Sequence, residues 1–318
     1  GGINGKKIEF NFQDDQSDAE KSVNAYNTLK DWGMQILVGT TTSKPCIAVV
    51  AETTADNLFQ LTPSGSAVES ISGDNAFRVC FADPDQGTAS AKYIGENKLA
   101  TKIAIIYDSS TEYSSGIREA FVAEAANQGL EIVADEAFTA DSNTDFSVQL
   151  DKAKDAGAEL VFLPIYYQEA SLFLEQASTA GLNVKYFGCD GLDGIIAQLA
   201  DKASLAEGVM LLTPFSVTSE DEKSKAFVEA YEAANKNEVP NQFAADAYDV
   251  LFAMQLAAND AAITPDMSNE DISAAMSASM LNIELDGLTG KAKWSEDGEC
   301  DKEPKAFEIK DGAYVEMK

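Results

Sequence analysis

The residues best suited to chemistry lie in the stretch Leu37-Val38-Gly39-Thr40-Thr41-Thr42-Ser43-Lys44-Pro45. An apolar strand over 34–38 runs into Gly39 and a hydroxyl run, and Pro45 opens an apolar helix over 46–51. Pro suits the first helical position, where its missing N–H would be an orphan anyway, and Ser43 is placed to cap. A helix that starts just past the carboxyl end of a strand aims free N–H groups and partial positive charge into the crevice above the sheet. With clustered hydroxyls as further donors, this is a site for a small anion, a free carboxylate being the simplest. The same residues also serve an ordinary strand-to-helix turn, and this stretch alone favours that plainer use.

The other strand ends supply complementary groups. Ser64-Gly65-Ser66 is a second neutral, donor-rich loop, and residues 109–113 end in Tyr113. Tyr166-Tyr167 offers ring faces with polar tips, and Asp190 stands between glycines in Gly188-Cys189-Asp190-Gly191, where a ligand can approach. Singly, each has a plainer use: a Tyr packed at an edge, or an Asp capping a turn. Together they describe a crevice with anion donors on one wall, a carboxylate on the other and rings between, which suits a zwitterion.

Composition prunes the alternatives. The chain has no histidine, which removes Ser-His-Asp and Cys-His nucleophile systems, His-containing zinc sites and the commonest general base. Asp and Glu number 53 against 23 Lys and Arg, a net charge of −30, which repels nucleic acid and anionic membranes. Cys46, Cys80, Cys189 and Cys300 form no CxxC pair, so no zinc or iron–sulfur site is expected. They are read as buried free thiols or, second, as long-range disulfides. No apolar run is long enough to span a membrane, and the opening residues carry no secretory-signal pattern.

The elements that must position these groups alternate regularly. At 318 residues the chain suggests two domains. Strands are expected over 8–14, 34–38, 58–63, 76–82, 102–107, 130–133, 160–165, 184–189 and 209–213, with amphipathic helices between them, as in parallel sheets covered on both faces. The helix after 184–189 is expected over 192–199. Helices over 220–235, 242–262 and 269–280 follow, then short strands over 290–294 and 306–315. The opening Gly1-Gly2-Ile3-Asn4-Gly5 reads as a helix-to-strand turn. The absence of a flexible linker implies several crossings between two lobes, hence a hinge.

Several stretches, in order, resemble the periplasmic binding proteins of the leucine/isoleucine/valine type, the type I substrate-binding proteins of ABC importers. They include Gly1 to Ile8, Asp14-Asp15-Gln16, Val38-Gly39 with Ser43, Thr62-Pro63-Ser64 and Phe77-Arg78 with residues 83–87. Residues 113–116, Asp145-Phe146-Ser147, Tyr166-Tyr167, residues 188–191, Glu207-Gly208 and Tyr248-Asp249 continue the pattern. The resemblance implies an α/β, two-lobed type I periplasmic-binding-protein fold, each lobe a mainly parallel sheet flanked by helices. Lobe 1 is expected over 1–83 and 214–290, and lobe 2 over 84–213 and 291–318. It also implies a strand, loop and helix ahead of Gly1 that this sequence lacks. A trimmed portion of a longer chain is expected, because losing an inner strand leaves two strand edges unpaired, with a true variant lacking that unit as the alternative. The family's small disulfide has no counterpart, since Ser17 and Thr42 stand at its positions.

By position, the resemblance implies that Ser43 and Ser66 hold a ligand α-carboxylate. It further implies that the Gly65 carbonyl and Asp190 take the α-amino group, and that Tyr113 and Tyr166 are lid-side aromatics of the second lobe. The implied function is capture, without catalysis, metal or cofactor, of a branched-chain or other apolar L-amino acid by hinge closure. Delivery to the permease of an ABC importer follows, by a monomer that is periplasmic or lipid-anchored outside the cell membrane. The alternatives are a sensory or regulatory module of the same fold and, more distantly, a carboxylate-based hydrolase or transferase.

Overall fold

A strand apolar at every position must be buried on both faces, and this pattern governs the architecture. The computed structural model describes residues 2–317; Gly1, at the head of the opening turn, lies outside them. In chain order, α1 (Ala19–Trp32), β1 (Ile36–Val38), α2 (Ser43–Ala55), β2 (Phe59–Thr62) and β3 (Ala76–Arg78) come first. Then come α3 (Asp83–Glu96), β4 (Lys102–Asp108), α4 (Glu112–Ala125), β5 (Glu131–Phe138), α5 (Ser147–Asp155), β6 (Leu160–Leu163) and α6 (Tyr167–Ala180). They are followed by β7 (Lys185–Gly188), α7 (Ile195–Leu199), β8 (Met210–Thr213) and α8 (Glu222–Ala234). The last part holds α9 (Gln242–Asp260), α10 (Asn269–Met280), β9 (Leu285–Gly287), β10 (Gly290–Ala292), β11 (Lys305–Lys310) and β12 (Ala313–Glu316).

The chain forms two α/β units, residues 1–82 with 243–303 and residues 83–242 with 304–318. The crossings therefore differ from those expected. Residues 214–242 belong to the second unit, where Phe215 packs edge-on against Phe227 of α8. Residues 291–303 belong to the first, where the Trp294 indole donates to the Arg78 carbonyl at 2.6 Å.

In the first unit β1, β2 and β3 form a parallel sheet. Phe59, Leu61, Phe77 and Val79 face Val250, Ala253, Met254 and Ala257 of α9, joined by Met276 and Met280 of α10. Tyr26 and Leu29 of α1 pack with Val49 of α2 and Leu58 in a separate cluster. Each such apolar side chain contributes about 1.5–3 kcal/mol on burial.

The expected strand over 8–14 does not form: those residues join no sheet, and Phe10 and Phe12 stack on each other while exposed. Ile8, Phe10 and Phe12 alternate as a strand would, but no neighbouring strand takes up their backbone hydrogen bonds. The opening turn also differs. Ile3 and Lys6 exchange backbone hydrogen bonds at 2.9 and 2.8 Å around Asn4 and Gly5, both at positive φ, which makes a tight hairpin turn.

The second unit has a seven-stranded sheet in the order β12-β11-β8-β7-β6-β4-β5, parallel from β5 to β8. Alternate residues feed its two faces: Ala104, Ile106, Val161 and Leu163 enter one cluster, Ile103, Ile105, Leu160 and Phe162 the other. The order reverses between β4 and β6, because β5 lies outside β4 while β7 and β8 run the other way. Open sheets of this kind bind ligands at such a switch point, beyond the carboxyl ends of the strands. The expected helix over 192–199 is instead a 3₁₀ turn (Asp190–Leu192) and a short α7, separated by Gly194 at φ 108°.

Candidate functional site

In the first unit, the chain leaving β1 enters α2 through Thr42, the N-cap, and Ser43 is the first helical residue. Pro45 is thus third in the helix, and the first intrahelical bond runs from Cys46 N–H to the Thr42 carbonyl at 3.1 Å. A proline is tolerated anywhere in this first turn, since none of its N–H groups has an intrahelical acceptor. The structure brings Ser43 and Ser66 together, with their hydroxyls 3.5 Å apart, and the Ser43 hydroxyl accepts from Ala67 N–H at 3.1 Å. The hydroxyls of Thr42 and Ser64 at the same strand ends are buried without a protein partner. Both escaped selection from sequence; the only signal was their membership of short hydroxyl-rich runs.

Gly65 is fixed by close approach. A Cβ there would fall 2.8 Å from both the Cys46 sulfur and the Thr62 hydroxyl, which accepts from Gly65 N–H at 2.8 Å. Its carbonyl already accepts from the Arg78 guanidinium at 3.1 Å, and the same nitrogen donates to the Ser66 carbonyl at 2.5 Å. Arg78 is wholly buried, and its other terminal nitrogen reaches Glu299 at 3.1 Å. The loop that carries Ser66 is therefore held from behind by a buried cation.

In the second unit, β4 delivers Tyr113 through the Thr111-capped α4, β6 delivers Tyr166, and β7 delivers Asp190. All three meet. The Tyr113 hydroxyl donates to Asp190 at 2.8 Å and accepts from Gly191 N–H at 2.9 Å, while the Tyr166 ring stacks on it at 4.5 Å. Tyr113 is thus buried and spent on Asp190, whereas Tyr166 is half-buried. The flanking glycines do not leave room for a ligand. A Cβ on Gly191 would lie 2.5 Å from the Tyr113 hydroxyl, and one on Gly188 would strike Leu192.

Asp190 is 2 % exposed. Tyr113, the amides of Gln86 and Gln242 and the Gly191 N–H hydrogen-bond it, yet burial pushes its carboxyl above the usual aspartate range. Among the described residues no ion pair involves it. The glutamines were not found from sequence, because nothing in a helix sequence marks an inward amide. All four cysteines are buried free thiols, and no group among the described residues could hold a metal ion.

Asp193, three residues on, is also buried, and burial pushes it from 3.8 to about 6. Its native form binds a proton that the unfolded chain has released, so its contribution to stability falls as pH rises from about 4 to about 6. Asp193→Asn keeps an acceptor for Gln242 N–H and should raise stability at neutral pH by about 3 kcal/mol. Thermal melts of variant and wild type should converge near pH about 4, draw apart up to pH about 6 and keep a constant gap above it; an equal gap at pH about 4 and about 7 would contradict this.

The second unit thus holds a buried carboxyl with no ion pair among the described residues, and the first holds buried hydroxyls without a protein partner at a helix start. The chain belongs to the periplasmic binding protein family, whose model matches residues 1–313. This is a family of binding proteins rather than enzymes, and it works outside the cytoplasmic membrane. No helix of the described residues is long and apolar enough to cross a membrane. The chain is 28% identical over 243 residues to the leucine-, isoleucine-, valine-, threonine- and alanine-binding protein of Pseudomonas aeruginosa, covering 74% of this chain and 63% of that one. It is 25% identical to the Leu/Ile/Val/Thr-binding protein of Salmonella typhimurium, covering 97% and 80%. Among solved structures it resembles the branched-chain amino acid substrate-binding protein LivJ of Streptococcus pneumoniae in complex with isoleucine. There the TM-score is 0.86, with 28% identity and coverage of 100% of this chain and 90% of the other. The fold also matches that of a benzoate-bound solute-binding protein from R. palustris, with TM-score 0.85, 20% identity and coverage of 99% and 86%.

Proposed function

We propose that this chain captures a free L-amino acid with an apolar side chain and passes it to the permease of an ABC importer. The ligand carboxylate is taken by the start of α2 with the hydroxyls of Ser43 and Ser66, and the ammonium by Asp190. Tyr166 contributes a ring face, and Tyr113 holds Asp190 in place. The protein acts as a monomer outside the cytoplasmic membrane, either free in the periplasm or lipid-anchored. One observation carries this reading: the Asp190 carboxyl is buried among hydrogen-bond donors and, among the described residues, joins no ion pair. Burying a carboxylate without a counter-charge is costly, and a ligand ammonium supplies what is missing. The relatives named as binding leucine, isoleucine and valine support the same ligand class. The Gly65 carbonyl, already engaged by Arg78, is left as a secondary acceptor.

Micromolar affinity needs about 8 kcal/mol. A helix start gives about 0.3–2 kcal/mol, so three or four hydrogen bonds to charged groups, about 1.5–3 kcal/mol each, must supply the rest. A thermal-shift screen should therefore give an upward shift with apolar L-amino acids. It should give none with 4-methylpentanoate or benzoate, which leave Asp190 unpaired, nor with 3-methylbutylamine, which leaves the α2 donors empty. A shift with benzoate equal to that with leucine would sink the zwitterion assignment.

A further inference from the structure

The residues around Asp190 include one that sits at the start of a helix. Gln242 opens α9, is 1 % exposed, and has its polar atoms committed on three sides. Its backbone N–H donates to the Asp193 carboxylate at 2.6 Å. Its side-chain oxygen accepts from the Thr213 hydroxyl, at the carboxyl end of β8, at 2.7 Å. An amide whose oxygen is taken by a donor must turn its N–H₂ the other way. That end hydrogen-bonds Asp190. Thr213 is itself held, since its hydroxyl accepts from Phe215 N–H at 3.3 Å. Two consecutive strand ends, β7 and β8, are thus joined through one glutamine to the carboxylate.

We propose that Gln242 is a positioning residue for Asp190: its amide, turned by Thr213 and anchored at the backbone by Asp193, holds the carboxylate where a ligand ammonium meets it. This rests on the amino-acid reading above. Chemically, the amide donates to the ionised carboxylate and so favours the charged form that an ammonium needs. Tyr113, Gln86 and Gly191 N–H share that task, while Cys189 and Asp193 are the other titratable groups close to Asp190. Removing one donor of four leaves the site assembled but shifts the balance toward the neutral acid.

The test uses the full chain with carboxyl-labelled aspartate, following the Asp190 resonance against pH by NMR and assigning it by its loss in Asp190→Asn. Gln242→Met keeps the side-chain length and removes the amide. It should raise the Asp190 midpoint, weaken L-leucine binding about tenfold by calorimetry, and move the acid limb of binding to higher pH. A merely structural role would lower the melting temperature and leave the midpoint in place. Thr213→Val, which frees the amide without touching Asp190, should shift both readouts in the same direction by less, and carries the test if Gln242→Met does not fold. If Asp190→Asn loses leucine while both variants keep the wild-type midpoint and affinity, this inference alone is overturned. If Asp190→Asn keeps leucine affinity, the amino-acid reading falls and the inference with it.

Discussion

Asp190→Ala should abolish amino-acid binding in a calorimetric titration and leave the fold intact. On the proposed function, the ligand ammonium in the wild type trades water for a carboxylate fixed by Tyr113, Gln86, Gln242 and Gly191 N–H. Deleting the carboxylate leaves that ammonium desolvated and unpaired, a loss of about 3–5 kcal/mol. That is a factor of about a hundred to several thousand, which moves a micromolar complex to about 0.1 mM or weaker. The protein itself loses little. The variant leaves a few donors unmatched but removes a buried charge, and these terms oppose each other, so the melting temperature should move only slightly. Affinity in the wild type should also fall as pH is lowered, with an acid limb above the range of an ordinary aspartate, because burial raises the pKa of this carboxyl and protonation removes the anion. Micromolar leucine binding by Asp190→Ala would remove the zwitterion model.

How far the sequence disclosed this arrangement depended on whether each element's reason lay nearby in the chain. Apolar runs such as Val161-Phe162-Leu163 declare a strand buried on both faces, and β6 lies where that rule puts it. Asp190 was legible as an isolated acid at a strand end. Its flanking glycines were misread, because the contacts that exclude a Cβ come from Leu192 and from Tyr113, the latter far away in the chain. β5 extends to Phe138, beyond its expected end, since Asp135 and Glu136, on opposite faces of the strand, pair with Arg118 of α4 and Lys152 of α5. Residues 8–14 carry a strand's alternation but no ladder partner, and pairing is not written in a segment's own residues. Gln242 and Arg78 were invisible as site residues for the same reason. Gln242 meets Asp193 across 49 positions, and Arg78 meets Glu299 across 221.

The two units thus prepare opposite charges by different means. The second surrounds a buried carboxyl with neutral donors and, on the proposed function, takes a cation from outside. The first builds a donor-rich loop and carries its own cation behind it. Arg78 is that cation, and Arg78→Met should cost the protein about 3 kcal/mol of stability. Its side chain is fully buried, and one guanidinium nitrogen serves the carbonyls of both Gly65 and Ser66. Methionine fills much of the space but donates nothing, leaving two buried carbonyls bare at about 1–3 kcal/mol each. Relief of the guanidinium's own desolvation offsets part of that. The ion pair adds little, because the Glu299 side chain is 39% exposed and solvent screens it. Glu299→Gln should therefore cost less than about 1 kcal/mol, and the contrast between the two variants separates the carbonyl clamp from the charge pair. Urea or thermal melts without ligand measure both. Ligand affinity should fall with Arg78→Met as well, since the Ser66 hydroxyl rides on the loop those carbonyls anchor. If Arg78→Met melts with the wild type, the clamp is not what holds the Ser64-Gly65-Ser66 loop in place. If Glu299→Gln proves the more damaging of the two, the charge pair outweighs the carbonyls.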